Sequence, residues 1–98
     1  MPRPYETMLI VRPDAGDEAL AQLIDTQKAV LSENGATQVE TSIRGKRRMA
    51  YDIKRCKEGV YVQLNYDSEP VAKEAMEKGL RLNESILRFE TFRLDEQS

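Results

Sequence analysis

Apolar positions recur every second residue in some stretches of this chain and every third or fourth in others, and the switching between the two periods lays out its elements. Tyr5 to Arg12 (YETMLIVR) alternates apolar and polar residues and stops at Pro13, the pattern of a strand. Pro13-Asp14-Ala15-Gly16 is turn chemistry, with Asp14 or Asp17 placed to cap the next segment. From Asp17 to Asn34 the period lengthens. Leu20, Leu23, Ile24, Gln27 and Leu31 fall on one face, acids gather at the start, and Asn34-Gly35 supplies a stop, so a helix is predicted.

Period two returns at Ala36, with Val39, Thr41 and Ile43 on one side, and continues as Met49, Tyr51 and Ile53. This predicts one long strand running out to a turn at 55–58, with a partner strand returning over Gly59 to Asp67 (GVYVQLNYD). Ser68-Glu69-Pro70 opens a second helix whose buried stripe is Val71, Ala72, Ala75, Met76 and Leu80. Gly79 inside it marks either fraying or a close backbone approach. Asn83-Glu84-Ser85 turns the chain into a last strand, Ile86 to Leu94. The order strand, helix, strand, strand, helix, strand, with right-handed crossovers flanking a central hairpin, predicts an α+β fold. It is the ferredoxin-like split βαβ arrangement, a four-stranded antiparallel sheet with both helices on one face. Residues 1–94 form the expected single domain, and 95–98 a short acidic, flexible tail.

Alternation then sorts the strands. Thr7, Leu9, Val11, Val60, Val62, Leu64, Tyr66, Leu87, Phe89 and Thr91 point to the core. The uncovered face receives Met8, Ile10, Tyr61 and Phe92, an apolar patch suited to a partner protein if its members are contiguous.

Charge changes the picture most. Seven of the fifteen basic residues lie in fourteen positions: Arg44, Lys46, Arg47, Arg48, Lys54, Arg55 and Lys57, with Asp52 as the one acid among them. That stretch carries +6 in a chain of net charge −2, so the other 84 residues carry −8. With a Debye length of about 8–10 Å, the local sign matters more than the total. A clustered cationic strand rich in arginine is the footprint of a phosphate backbone, because guanidinium forks grip phosphate bidentately. A solubilising strand edge is served as well by lysine.

Other chemistries are poorly supplied. There is no histidine, and the single cysteine, Cys56, has no imidazole partner, so neither a catalytic residue nor a metal site is expected. A lone cysteine also points to a reducing compartment. Acylphosphatases share the topology but cradle phosphate in a basic loop after the first strand, where this chain has Asp14 and Asp17. Base stacking on the sheet is disfavoured because Met8 and Ile10 stand at the centre of the first strand and Tyr61 is alone in the third. No apolar run is long enough to cross a bilayer, and no membrane partner or cofactor is expected. A ferredoxin-like regulatory domain that binds a small molecule is the rival reading, although the glycine-containing loop and polar pocket of such domains are not found.

The residues themselves resemble one family, ribosomal protein S6 of the bacterial or plastid small subunit, over nearly the whole chain. The similarity begins at Pro4-Tyr5-Glu6 and the strand ending in Arg12-Pro13, and continues through Asn34-Gly35-Ala36. It is strongest at Gly45-Lys46-Arg47-Arg48-Met49-Ala50-Tyr51-Asp52-Ile53, and returns at Gly59-Val60-Tyr61 and from Leu80 to Phe89. Met49 replaces the usual leucine with little change of volume. The resemblance implies a non-enzymatic, cytoplasmic or plastid-stromal ribosomal protein that binds the central domain of small-subunit (16S) rRNA beside ribosomal protein S18, with no small-molecule substrate. It implies RNA contacts at Arg3, Arg47, Arg48, Lys54, Arg81 and Arg88, with Lys46 and Arg55 less firmly indicated. The open-face patch Met8, Ile10, Tyr61 and Phe92 is the surface expected to meet S18.

Overall fold

Leu9, Ile10 and Val11 are three consecutive buried residues at the end of strand β1 (Arg3–Val11), and a strand apolar on both sides belongs in the middle of a sheet. The computed structural model, which describes residues 1–96, puts β1 between β3 (Cys56–Ser68) and β4 (Ile86–Arg93), with β2 (Thr37–Ile53) outside β3. Gln97 and Ser98 of the expected tail lie outside the described residues. The order is β2-β3-β1-β4 with every neighbouring pair antiparallel, which is the ferredoxin-like fold. Leu94–Glu96 forms a 3₁₀ turn after β4, where Arg93 Nε donates to Asp95 Oδ1 at 2.7 Å.

Helices α1 (Asp17–Glu33) and α2 (Pro70–Leu82) close one face over a core of Leu9, Val11, Leu31, Val62, Leu64, Met76 and Leu80. Each such side chain contributes about 1.5–3 kcal/mol on leaving water. The α1 stripe is as expected, including buried Gln27. Its start is not: Gly16 is the N-cap and no side chain bonds to the free amides, so Asp17 and Glu18 act there only through the helix dipole. In α2, Val71 is exposed and Glu77 is buried instead, held by Lys73 Nζ at 3.5 Å. Gly79 is exposed, and a Cβ there would meet nothing within 4 Å, so close approach does not explain it.

Between the strands, Thr7 Oγ1 lies 2.9 Å from both Tyr66 Oη and Thr91 Oγ1. This buried chain satisfies a hydroxyl that would otherwise be costly, and burial pushes the Tyr66 phenol up to about 12.

One residue assigned to the core leaves it. A register shift pairs Val11 with Ile86 and Ile10 with Arg88, so Leu87 is an extra residue of β4 and Ile86 takes the core place. Leu87 packs near Gly59 on the other side of the sheet, with its Cδ1 3.5 Å from where a Cβ on Gly59 would sit. That Cβ would also fall 2.3 Å from Ile10 Cγ2, and a β-branched side chain has little room to turn. Gly59→Ala is therefore expected to lower stability by about 1–3 kcal/mol, read as a lower urea midpoint at unchanged slope. An unchanged midpoint would show that Ile10 moves aside freely.

Candidate nucleic-acid interface

The basic residues ride on the long β2–β3 hairpin. Its last Cα partners are Ile53 and Cys56, and the two residues between them, Lys54 (φ 48°) and Arg55 (φ 68°), are both left-handed. That is the signature of a two-residue type I′ turn, a geometry that usually recruits Asn or Gly. The sequence pattern puts the turn at 55–58; it falls earlier because this left-handed pair lets β3 begin at Cys56. Left-handed Gly45 (φ 97°) accompanies a register shift between Ile43 and Gly45, and another shift lies between Arg48 and Ile53. Such irregularities bend and twist a hairpin.

The bent tip meets the junction between α2 and β4. Arg12 Nη1 donates to Cys56 Sγ at 3.4 Å while its Nε donates to the Glu84 carbonyl at 2.9 Å. Lys54 Nζ donates to the Ile86 carbonyl at 3.1 Å, and Arg88 Nη1 donates to Tyr51 Oη at 2.8 Å. Residues more than thirty positions apart in sequence are thus gathered at one end of the sheet.

The structure brings together three of the six cations singled out from sequence. Lys54, Arg81 and Arg88 line one groove whose floor is Leu80, Ile86, Leu87 and Phe89. Arg81 stacks with its Cζ 5.7 Å from the centre of the Phe89 ring and lies 4.0 Å from Glu77, and Arg88 is ion-paired to Glu90. Arg47 is nearby on the open-face side, its Cζ 5.9 Å from the centre of the Tyr61 ring. Arg48 turns the other way, beside Lys57 and Glu58. Arg3 does not join them. It pairs with Ser68 at the far end of β1, nine residues and about 30 Å along the strand from Arg12.

Among the described residues none of the seven cations of residues 44–57 takes part in an ion pair. Arg44 is held instead by Gln63, whose Oε1 accepts from Nη2 at 2.7 Å and Nε at 3.1 Å. No ion pair among the described residues thus offsets the positive charge of the arm. Arg12, Arg44 and Tyr51 were not singled out from sequence as site residues. Arg12 closes an apolar strand and Tyr51 continues an alternation, so neither carries a local signal of its role.

The apolar patch is contiguous. Met8, Ile10, Tyr61 and Phe92 line one concavity on the open face, together with Glu6, Arg88, Phe89 and Glu90. Phe92 is 44% exposed, whereas Ile10 is only 9% exposed at its floor. Its volume of about 240 Å³ falls below the roughly 300–1,000 Å³ typical of small-molecule sites, and a shallow apolar surface of this kind suits a macromolecule better. Among the described residues no cluster of acids or cysteine could hold a metal ion, and no helix is long and apolar enough to cross a membrane.

Comparison with known proteins agrees with the fold. The family model described as ribosomal protein S6 matches residues 4–93. Small ribosomal subunit protein bS6 of Synechococcus sp. is 59% identical over 95 residues, covering 96% of this chain and 99% of that protein. Its counterpart in Gloeobacter violaceus is 52% identical over 89 residues, covering 91% and 93%. The crystal structure of 30S ribosomal protein S6 from Thermotoga maritima superposes with a TM-score of 0.89 at 27% identity, over 98% of this chain and 94% of that one. The Bacillus subtilis GlnK–ATP complex, at a TM-score of 0.54 and 9% identity over 92% of this chain and 80% of that one, shares the fold alone.

Proposed function

We propose that this chain, which belongs to the ribosomal protein S6 family, binds the central domain of 16S ribosomal RNA beside ribosomal protein S18 in the small subunit. The observation that carries the reading is the gathering of Lys54, Arg81 and Arg88 in one groove, next to an arm whose cations have no carboxylate partners. In a chain of net charge −2 that arrangement serves a polyanion and little else. Arg47 and Arg48 extend the contact along the arm, and Arg3 makes a separate one at the other end of the sheet. These cations position phosphates and carry no sequence code. The other 84 residues carry −8 and repel a polyanion, so affinity for RNA alone is weak and tight binding needs a basic partner protein beside the chain. The cyanobacterial relatives favour a bacterial cytoplasm over a plastid as the setting.

The open-face concavity is the surface for S18, since an apolar floor rimmed by Glu6, Glu90 and Arg88 offers both area and charge registry. RNA affinity measured with S18 present should fall roughly 300- to 2,000-fold between 50 and 200 mM salt, the result of six phosphate contacts at a slope of about 0.7–0.9 each. A salt-independent affinity would sink the RNA reading. Tyr61→Asp with Phe92→Asp should abolish the complex with S18 while circular dichroism stays native, and unchanged association would remove the patch from the interface.

A further inference from the structure

We infer that Tyr51 and Arg12 are positioning residues that latch the tip of the basic arm against the body, so that Lys54 and Arg88 meet RNA already in place. This rests on the RNA reading above and goes beyond it, because neither side chain needs to touch a phosphate. The observation is the kind of acceptor used. The arm tip and the α2–β4 junction both carry cations, which repel one another, yet the contacts between them end on a phenol, a thiol and two backbone carbonyls. Arg12 is the central piece. It leaves the end of β1 and spans two elements at once, bonding Cys56 on the hairpin and Glu84 at the junction. Tyr51 adds the contact nearest the solvent, being 61% exposed and kept in place by the Arg88 guanidinium.

The arm needs such a latch for a physical reason. β2 is an edge strand whose pairing with β3 shifts register three times, and its two-residue turn holds Lys54 and Arg55 in left-handed conformations that cost free energy. An arm of that kind samples open positions unless something holds it. RNA binding to a population only partly closed is weakened in proportion to the closed fraction. Neutral acceptors close the arm without cancelling the charges that the phosphate requires.

The test removes the latch while leaving every charge. Tyr51→Phe deletes one hydroxyl, and Arg12→Lys keeps the cation but cannot reach two acceptors in the same planar fork. Each is expected to weaken binding of the S18-bound chain to a transcribed central-domain fragment about three- to tenfold, with the slope of log affinity against log salt unchanged. Amide exchange at residues 51–56 should speed up by a similar factor in the free protein. Unchanged affinity in both variants would overturn the inference, and so would a slope reduced by about one, which marks a lost phosphate contact. Weaker binding with unaltered exchange would also overturn it, because the hydroxyl would then be touching RNA directly. Lys54→Ala, measured alongside, separates the two levels of the argument: if it changes neither affinity nor slope, the RNA reading itself fails.

Discussion

Alanine at Lys54, Arg81 and Arg88 together is expected to weaken binding of the S18-bound chain to central-domain RNA about 100- to 500-fold at 0.1 M salt. Each phosphate contact releases condensed counterions, and a slope of roughly 0.7–0.9 per contact makes it worth a factor of about 5–8 at that concentration. Three such factors multiply because each contact with the polyanion releases its own counterions. The salt slope should become shallower by about two to three. Equilibrium binding across a salt series reads both numbers at once. Arg88 already holds Glu90, so its removal also leaves that carboxylate unpaired beside the groove and pushes the loss toward the upper end, while Glu77 keeps Lys73. A loss that leaves the slope where it was would mean that these cations act on the fold rather than on phosphate.

Leu9→Ala is expected to destabilise the domain by about 2–5 kcal/mol, a large share of the roughly 5–15 kcal/mol that holds a domain of this size together. Leu9 is fully buried on a central strand, directly opposite Val62 on one side and Phe89 on the other, in the core cluster to which both helices contribute. Neighbouring strands cannot collapse into the space without breaking their ladders, so the cavity persists. At about 4–8 °C per kcal/mol, thermal melting should fall by about 8–40 °C. A shift smaller than about 4 °C would show that the helices repack over the gap. Tyr51→Phe, on the exposed arm, should barely move the same transition.

Local pattern carried most of this architecture. The two helical stripes, the period-two runs and the turn residues between them are consequences of where apolar side chains fall relative to 3.6 and 2 residues per repeat, and they needed no knowledge of distant partners. Pattern failed where a neighbour decides. Leu87 and Ile86 are both apolar and adjacent, and only the bulge against β1 determines which of them enters the core. The same holds for Val71 and Glu77 in α2, where a salt bridge to Lys73 makes a buried carboxylate tolerable. The left-handed turn at Lys54 and Arg55 has no Gly or Asn to announce it.

The amino-acid order by itself determined that this is a ferredoxin-like chain with an acidic body and a cationic hairpin, because charge clustering and hydrophobic period are properties of neighbouring residues. Charge clustering also marked Arg47, Arg48 and Lys54 through residue type and spacing, whereas Arg3, Arg81 and Arg88 were indicated only by the resemblance to ribosomal protein S6. Only the tertiary structure decided that Lys54, Arg81 and Arg88 share a groove, that Arg3 stands apart, that Arg12 bonds both Cys56 and Glu84, and that Arg88 bonds Tyr51. The physical reason is that these relations depend on the bend of a strand pair and the meeting of side chains more than thirty residues apart. No local pattern encodes a distance of that kind.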